Sequence, residues 1–77
     1  MDRPIYLKDI VDGFFLKNNP GEIYEDAVGS LEKILIEKAL ERTEGNQITA
    51  AKMLGLNRNT IRAKIKRLGV KVDAFKR

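Results

Sequence analysis

Residues 57–67 crowd Asn57, Arg58, Asn59, Thr60, Arg62, Lys64, Lys66 and Arg67 into one short stretch. Guanidinium forks, amides and a hydroxyl suit flat acceptor edges, while ammonium groups neutralise anionic oxygens. Such a set recognises a polyanion; it does not make or break bonds. The chain has no His and no Cys, which removes imidazole and thiolate chemistry and any disulfide framework. A GxxxxGK[ST] phosphate loop is absent as well. The remaining carboxylates fall beside lysines on helix-patterned surfaces, as Glu37 does four residues after Lys33, which is ordinary helix support. Catalysis is therefore set aside, and no cofactor or metal is expected.

Two short helices must position these side chains. Asn46 is placed to cap the first, whose inward residues are read as Ile48, Ala51 and Leu54 with Met53 beside them. Gly55 supplies the left-handed residue that stops it, Leu56 tucks the turn under the pair, and Asn57 caps the second. Ile61, Ile65 and Leu68 lie at i, i+4 and i+7 on one face, and Gly69 ends that helix. The small Ala51 leaves room for two helices that cross steeply over a short turn. Residues 46–69 thus read as a helix-turn-helix, whose second helix enters a major groove of DNA. At about 100° per residue, Asn59, Arg62, Ala63, Lys66 and Arg67 face away from the apolar side, with Arg58 and Thr60 in the first turn. A solvated basic helix is the plainer alternative, since late Lys and Arg also suit a helix dipole.

The net charge of +4 hides a split. Residues 1–45 hold 6 Lys/Arg against 10 Asp/Glu, and residues 46–77 hold 9 against 1. Phosphate attracts the second part and repels the first, and the basic part is the helix-turn-helix. Seventy-seven residues form one domain with a small core and marginal stability as a monomer. No apolar run is long enough to span a bilayer and no signal-peptide profile is present, so a cytoplasmic, nucleoid-associated location is expected.

The preceding part reads as two helices. Pro4 starts the first, over about residues 4–17, with Leu7, Ile10, Val11, Phe14 and Phe15 on one stripe. Asn19 as cap, Pro20 at the first position and Glu22 three residues after the cap mark the next start. This second helix runs to about residue 43 or 44, with a soft spot at Gly29-Ser30. Tyr24, Val28, Leu31 and Leu35 form one stripe on it, while Ile36, Ala39 and Leu40 continue around the side. A helix apolar on two faces is packed on two sides. One side suits the helix-turn-helix. The other, with the Phe14/Phe15 stripe, calls for a second copy, giving a homodimer built on helices one and two. A monomer with the first helix folded back is the alternative. Residues 70–77 read as a tail in which Val70 and Val72 pack back; Phe75 could serve as an anchor, though a frayed terminus is the favoured reading.

Gly45-Asn46, Ala50-Ala51, Leu54-Gly55, Asn57-Arg58, Thr60, Ile61, Lys64, Ile65 and Leu68-Gly69, with two helices before them, resemble a known family. The segment is similar to the DNA-binding part of the factor for inversion stimulation (Fis). It is also similar to the C-terminal domain of sigma-54-dependent activators of the nitrogen regulatory protein C type. The resemblance covers nearly the whole chain and is most specific in the last third. It implies an all-α, four-helix Fis-like domain over residues 1–77: dimerisation helices in 1–45, the helix-turn-helix in 46–69 and a tail in 70–77. It implies a homodimer binding successive major grooves of a pseudo-palindromic double-stranded DNA site. Base edges would be read by Arg58, Asn59, Thr60, Arg62 and Ala63. Phosphates would be met by Asn46, Asn57, Lys64, Lys66 and Arg67, with Arg62 also near the backbone. Leu7, Ile10, Val11, Phe14, Phe15, Tyr24, Val28, Leu31 and Leu35 would form the dimer interface.

Two departures separate the branches. Ala63 stands where the inversion factor has lysine, so its methyl is left to meet a thymine methyl. Only Met1 to Arg3 precede Pro4, too few for the inversion factor's recombinase-activating arm. The Arg58-Asn59-Thr60 run also resembles the activator branch. The expected role is placing a sigma-54-dependent activator at its enhancer, with an ATPase domain acting on sigma-54 RNA polymerase and a receiver domain outside this sequence. The alternatives are an architectural nucleoid protein that bends loosely related sites, and a protein-interaction module that does not touch DNA.

Overall fold

The computed structural model describes residues 6–77. Four α-helices and a terminal 3-10 turn follow in order: α1 Leu7–Lys17, α2 Ile23–Arg42, α3 Gln47–Leu54, α4 Arg58–Leu68 and the turn Val72–Phe75. The all-α, four-helix class is as expected. The start assigned to Pro4 lies outside the described residues. The chain divides into two compact units, one ending at Ser30 and the other running from Leu31 to Arg77; α2 is continuous across the division.

In the first unit, α1 ends on Asn18, whose Nδ2 donates to the Phe14 carbonyl at 3.0 Å and to Asp26 Oδ2 at 2.8 Å. The start of α2 differs from expectation. Asn19-Pro20-Gly21-Glu22 is a turn, closed by the Glu22 N–H on the Asn19 carbonyl at 3.1 Å, with Gly21 at φ +95. Proline followed by a residue of positive φ is the type II pattern. The helix begins at Ile23, and its first carbonyl acceptor is Glu22, bonded by the Asp26 N–H. None of the described residues of this unit is buried. Leu7, Ile10, Val11, Phe15, Leu16, Tyr24 and Val28 are all exposed, so the unit has apolar surface without a core.

The second unit does have one. Ile36, Ala39 and Leu40 of α2, Ala50 and Ala51 of α3, Ile61 of α4 and Val70 are buried together. Leu54, Leu56, Ile65, Leu68, Val72 and Phe75 pack around them. On α3 the inward residues are Ala50 and Ala51, while Ile48 and Met53 are about half exposed, which corrects the assignment of Ile48 to the core. Two adjacent alanines bring the α3 backbone close to its neighbours, a closer approach than larger side chains allow.

α2 ends on an uncommon residue. The left-handed position is held by Glu44 at φ +54, before Gly45 at φ +85, and the Gly45 N–H reaches the Leu40 carbonyl at 2.8 Å. A non-glycine residue in that conformation carries a strain of about 1 kcal/mol. At Gly45 an added Cβ would sit 2.6 Å from Lys76 Cγ, so Lys76 would have to shift to admit a side chain. The C-terminal segment lies there because residues 72–75 form a 3-10 turn with Val72 and Phe75 against the core. Residues 70–77 are therefore part of the fold and not a frayed tail.

Leu40→Ala, which empties the centre of this core, is expected to lower the unfolding free energy by about 2–5 kcal/mol. Phe75→Ala is expected to cost roughly 1–2 kcal/mol, in keeping with partial burial. Urea titration measures both, and an unchanged Phe75→Ala midpoint would mean that the C-terminal turn adds nothing to stability.

Candidate nucleic-acid interface

α3 and α4 are fixed by caps that the local sequence specifies. The Asn46 side-chain oxygen accepts the Thr49 N–H at 3.0 Å, and the Asn57 oxygen accepts the Asn59 N–H at 2.7 Å. Gly55, at φ +77, lets the Leu56 N–H return to the Ala51 carbonyl at 2.8 Å. This is the left-handed helix stop in which a following apolar residue packs back, and Leu56 does so. α4 ends likewise, with the Val70 N–H on the Ile65 carbonyl at 3.0 Å and Val70 buried.

Burial of Ile61, with Ile65 and Leu68 half-buried beside it, sets the rotation of α4. Arg58, Asn59, Thr60, Arg62, Ala63, Lys66 and Arg67 are all exposed in consequence. α4 carries five cations and no acid. Two shallow grooves flank its exposed ridge. One is lined by Gly45, Asn46, Gln47, Ile48, Arg58 and Arg62, which joins the start of α3 to the first turns of α4. The other is lined by Asn59, Thr60, Ala63, Lys64 and Arg67. Because Asn46 and Asn57 spend their oxygens on helix N–H groups, each has its amide NH2 to offer an anion.

Lys64 departs from the expected arrangement. Its side chain is only 27% exposed and its Nζ donates to Glu32 Oε2 on α2. Arg67 Nη2 donates to the other oxygen of the same carboxylate at 2.8 Å, with its own side chain 61% exposed. The structure thus takes Lys64 off the outward row and ties Arg67 to α2 at one edge. The Lys64 hydrogen bond, aided by the positive charge of both partners, holds the Glu32 carboxyl below its ordinary value despite partial desolvation. Sequence reasoning missed Glu32 because its partners lie 32 and 35 residues away. It also missed Gln47, for which position directly after the Asn46 cap is the only signal. Lys33 and Glu37 form no ion pair among the described residues; α2 has Lys38 with Glu41 at 3.9 Å instead.

Of the expected interface residues, Tyr24, Val28, Leu31 and Leu35 are exposed on α2 and Leu7, Ile10, Val11 and Phe15 on α1, where Phe14 is half-buried. Lys17 Nζ lies 4.8 Å from the Phe14 ring centre. Among the described residues no helix is long and apolar enough to cross a membrane.

A family model described as bacterial regulatory protein, Fis family, matches residues 27–68. The chain belongs to the Fis family. Relatives of this Fis-family chain include NtrC regulators and Fis proteins. Over 53 residues it is 53% identical to the DNA-binding transcriptional regulator NtrC of Rhizobium meliloti (strain 1021), covering 69% of this chain and 11% of that protein. Over 67 residues it is 43% identical to NtrC of Bradyrhizobium sp. (strain RP501 Parasponia), covering 87% of this chain and 14% of that protein. Over 76 residues it is 37% identical to the DNA-binding protein Fis of Glaesserella parasuis serovar 5 (strain SH0165), covering 91% of this chain and 76% of that protein. The chain therefore spans a small part of the NtrC regulators and about three quarters of that Fis protein. No solved structure matches it.

The depressed Glu32 pKa has a consequence for stability. Its folded value lies below its unfolded value, so the stabilisation is present above the unfolded value and is lost as pH falls through the folded one. Urea midpoints are expected to drop as the medium passes below the ordinary glutamate range. In Glu32→Gln that part of the slope should vanish; an identical acid profile for the two proteins would mean that the ion pair does not contribute to folding.

Proposed function

We propose that the chain binds double-stranded DNA in a sequence-specific manner as a two-fold homodimer, with α4 of each protomer in one of two successive major grooves. The observation that carries this reading is the exposed, acid-free row on α4, held outward by the burial of Ile61. Arg58 and Thr60, in the first turn, are assigned to base edges together with Asn59, Arg62 and Ala63. Asn46, Asn57, Lys66 and Arg67 are assigned to phosphates. Residues 46–69 form the binding unit, and the stripes of residues 1–45 form the dimer contact. An N-terminal unit with exposed leucines and aromatics but no buried residue supports pairing with a second copy, since apolar surface of this kind is stabilised by removal from water.

The role we favour is recruitment: the domain places a sigma-54-dependent transcription activator at its enhancer, while an ATPase domain elsewhere in that protein acts on sigma-54 RNA polymerase. Identity of 53% to an NtrC regulator supports it. A second reading, an architectural protein that bends DNA with little sequence preference, draws on the match to Fis over 91% of this chain. Neither role is enzymatic for this domain.

Arg58→Ala is expected to weaken binding to a selected site by about 1–3 kcal/mol and binding to random duplex by less; equal losses on both would remove Arg58 from the base readers. Leu31→Glu tests the dimer. On an isolated surface helix such a change shifts stability by only about 0.5 kcal/mol, whereas in a dimer seam it separates the protomers. Sedimentation should show monomers that bind the full site weakly; an unaltered dimer would place the seam elsewhere.

A further inference from the structure

Glu32 stands apart from the α4 contacts assigned above, yet it is the only acid bonded to α4 among the described residues. Both of its oxygens are engaged, one by Lys64 and one by Arg67. The carboxylate and Lys64 are mostly screened from solvent, with side chains 24% and 27% exposed, while Arg58, Arg62 and Lys66 on the same helix are exposed and bonded to no acid among the described residues. Lys64 also lies on the flank of α4 that turns toward α2, about 70° from the centre of its apolar side at 100° per residue. The five cations of α4 are thus divided: three are open, one is half-committed and one is withheld.

We propose that Glu32 sets the sequence-independent part of the affinity: it withholds Lys64 from the phosphate backbone and orients Arg67, so that fewer cations are available to any duplex regardless of sequence. The proposal rests on the DNA-binding reading and extends it. Contacts to phosphate serve every sequence alike, whereas base contacts discriminate. Arg58 and Thr60 sit at the opposite end of α4 from Arg67, so a carboxylate at that far end lowers the indiscriminate part of the affinity and leaves base reading alone. A purely structural clamp would have a different signature: its removal would loosen α4 and weaken all binding in parallel, without steepening the salt dependence.

The test measures binding to a selected site and to random duplex across a salt series for wild type, Glu32→Gln, Lys64→Met and the double variant. Glu32→Gln is expected to tighten random-duplex binding by roughly three- to tenfold near 0.1 M salt. It should also steepen the log K against log salt slope by about one to two per protomer, as one or two further phosphates are neutralised. The selected site should gain by a similar factor, so both affinities rise while their ratio stays close to that of wild type. Lys64→Met should flatten the slope by about one in the Glu32→Gln background and by clearly less alone. Glu32→Asp, which keeps the charge, should restore most of the wild-type affinity and salt slope. Parallel weakening on both duplexes at an unchanged slope would overturn the proposal, as would an equal flattening by Lys64→Met in both backgrounds. Should Glu32→Gln fail to fold, Lys64→Met alone decides: a full unit of slope lost from wild type would show that Lys64 already meets phosphate. Failure of wild type to retain either duplex at low salt would overturn the DNA-binding reading itself.

Discussion

The burial of Ile61 is the constraint from which the candidate interface follows. It is the one fully buried side chain of α4, and it sits in a core with Ile36 and Leu40 of α2 and the alanine pair of α3. A helix pinned at one apolar point can still roll. Ile65 and Leu68 on the same face, packed against the core, remove that freedom. With rotation fixed, the outward direction of Arg58, Arg62 and Lys66 is a geometric consequence of the 3.6-residue repeat. The small alanines serve the same end by letting α3 approach closely, and the two asparagine caps define where each helix starts.

α2 carries both tasks of the chain. Its Ile36-Ala39-Leu40 face completes the core that orients α4, and its Leu31-Leu35 side remains exposed. A helix with apolar residues on more than one face suits the proposed dimer, in which the core is finished within each chain and the second surface meets another copy. The charge split matches this division of labour: acids gather on the part that does not meet DNA in the proposed arrangement, and the cations gather on α4 and the segment after it.

Features with local causes were legible in the sequence. Asn46, Gly55, Asn57 and Gly69 act within a few residues of themselves, so their types announced both short helices and both stops. Ile61, Ile65 and Leu68 repeat often enough to orient α4. Failures arose where local signals were ambiguous or the cause was distant. Asn-Pro-Gly-Glu satisfies the pattern of a helix start and that of a type II turn equally, and Gly21 chose the turn. α3 spans little more than two turns, too short for periodicity to separate Ile48 from Ala50. Phe75 docks by tertiary contact alone, and the Glu32 pairing with Lys64 and Arg67 joins residues more than thirty apart. The last is the omission that matters for function, since it changes which cations are open.

The central claim is that α4 reads DNA sequence from a two-fold dimer. The most direct measurement is selection of binding sites from random duplex DNA at near-physiological salt. The account predicts an enriched inverted repeat whose half-sites lie about one helical turn apart. A retained pool with no common sequence, or only a single unpaired half-site, would contradict it.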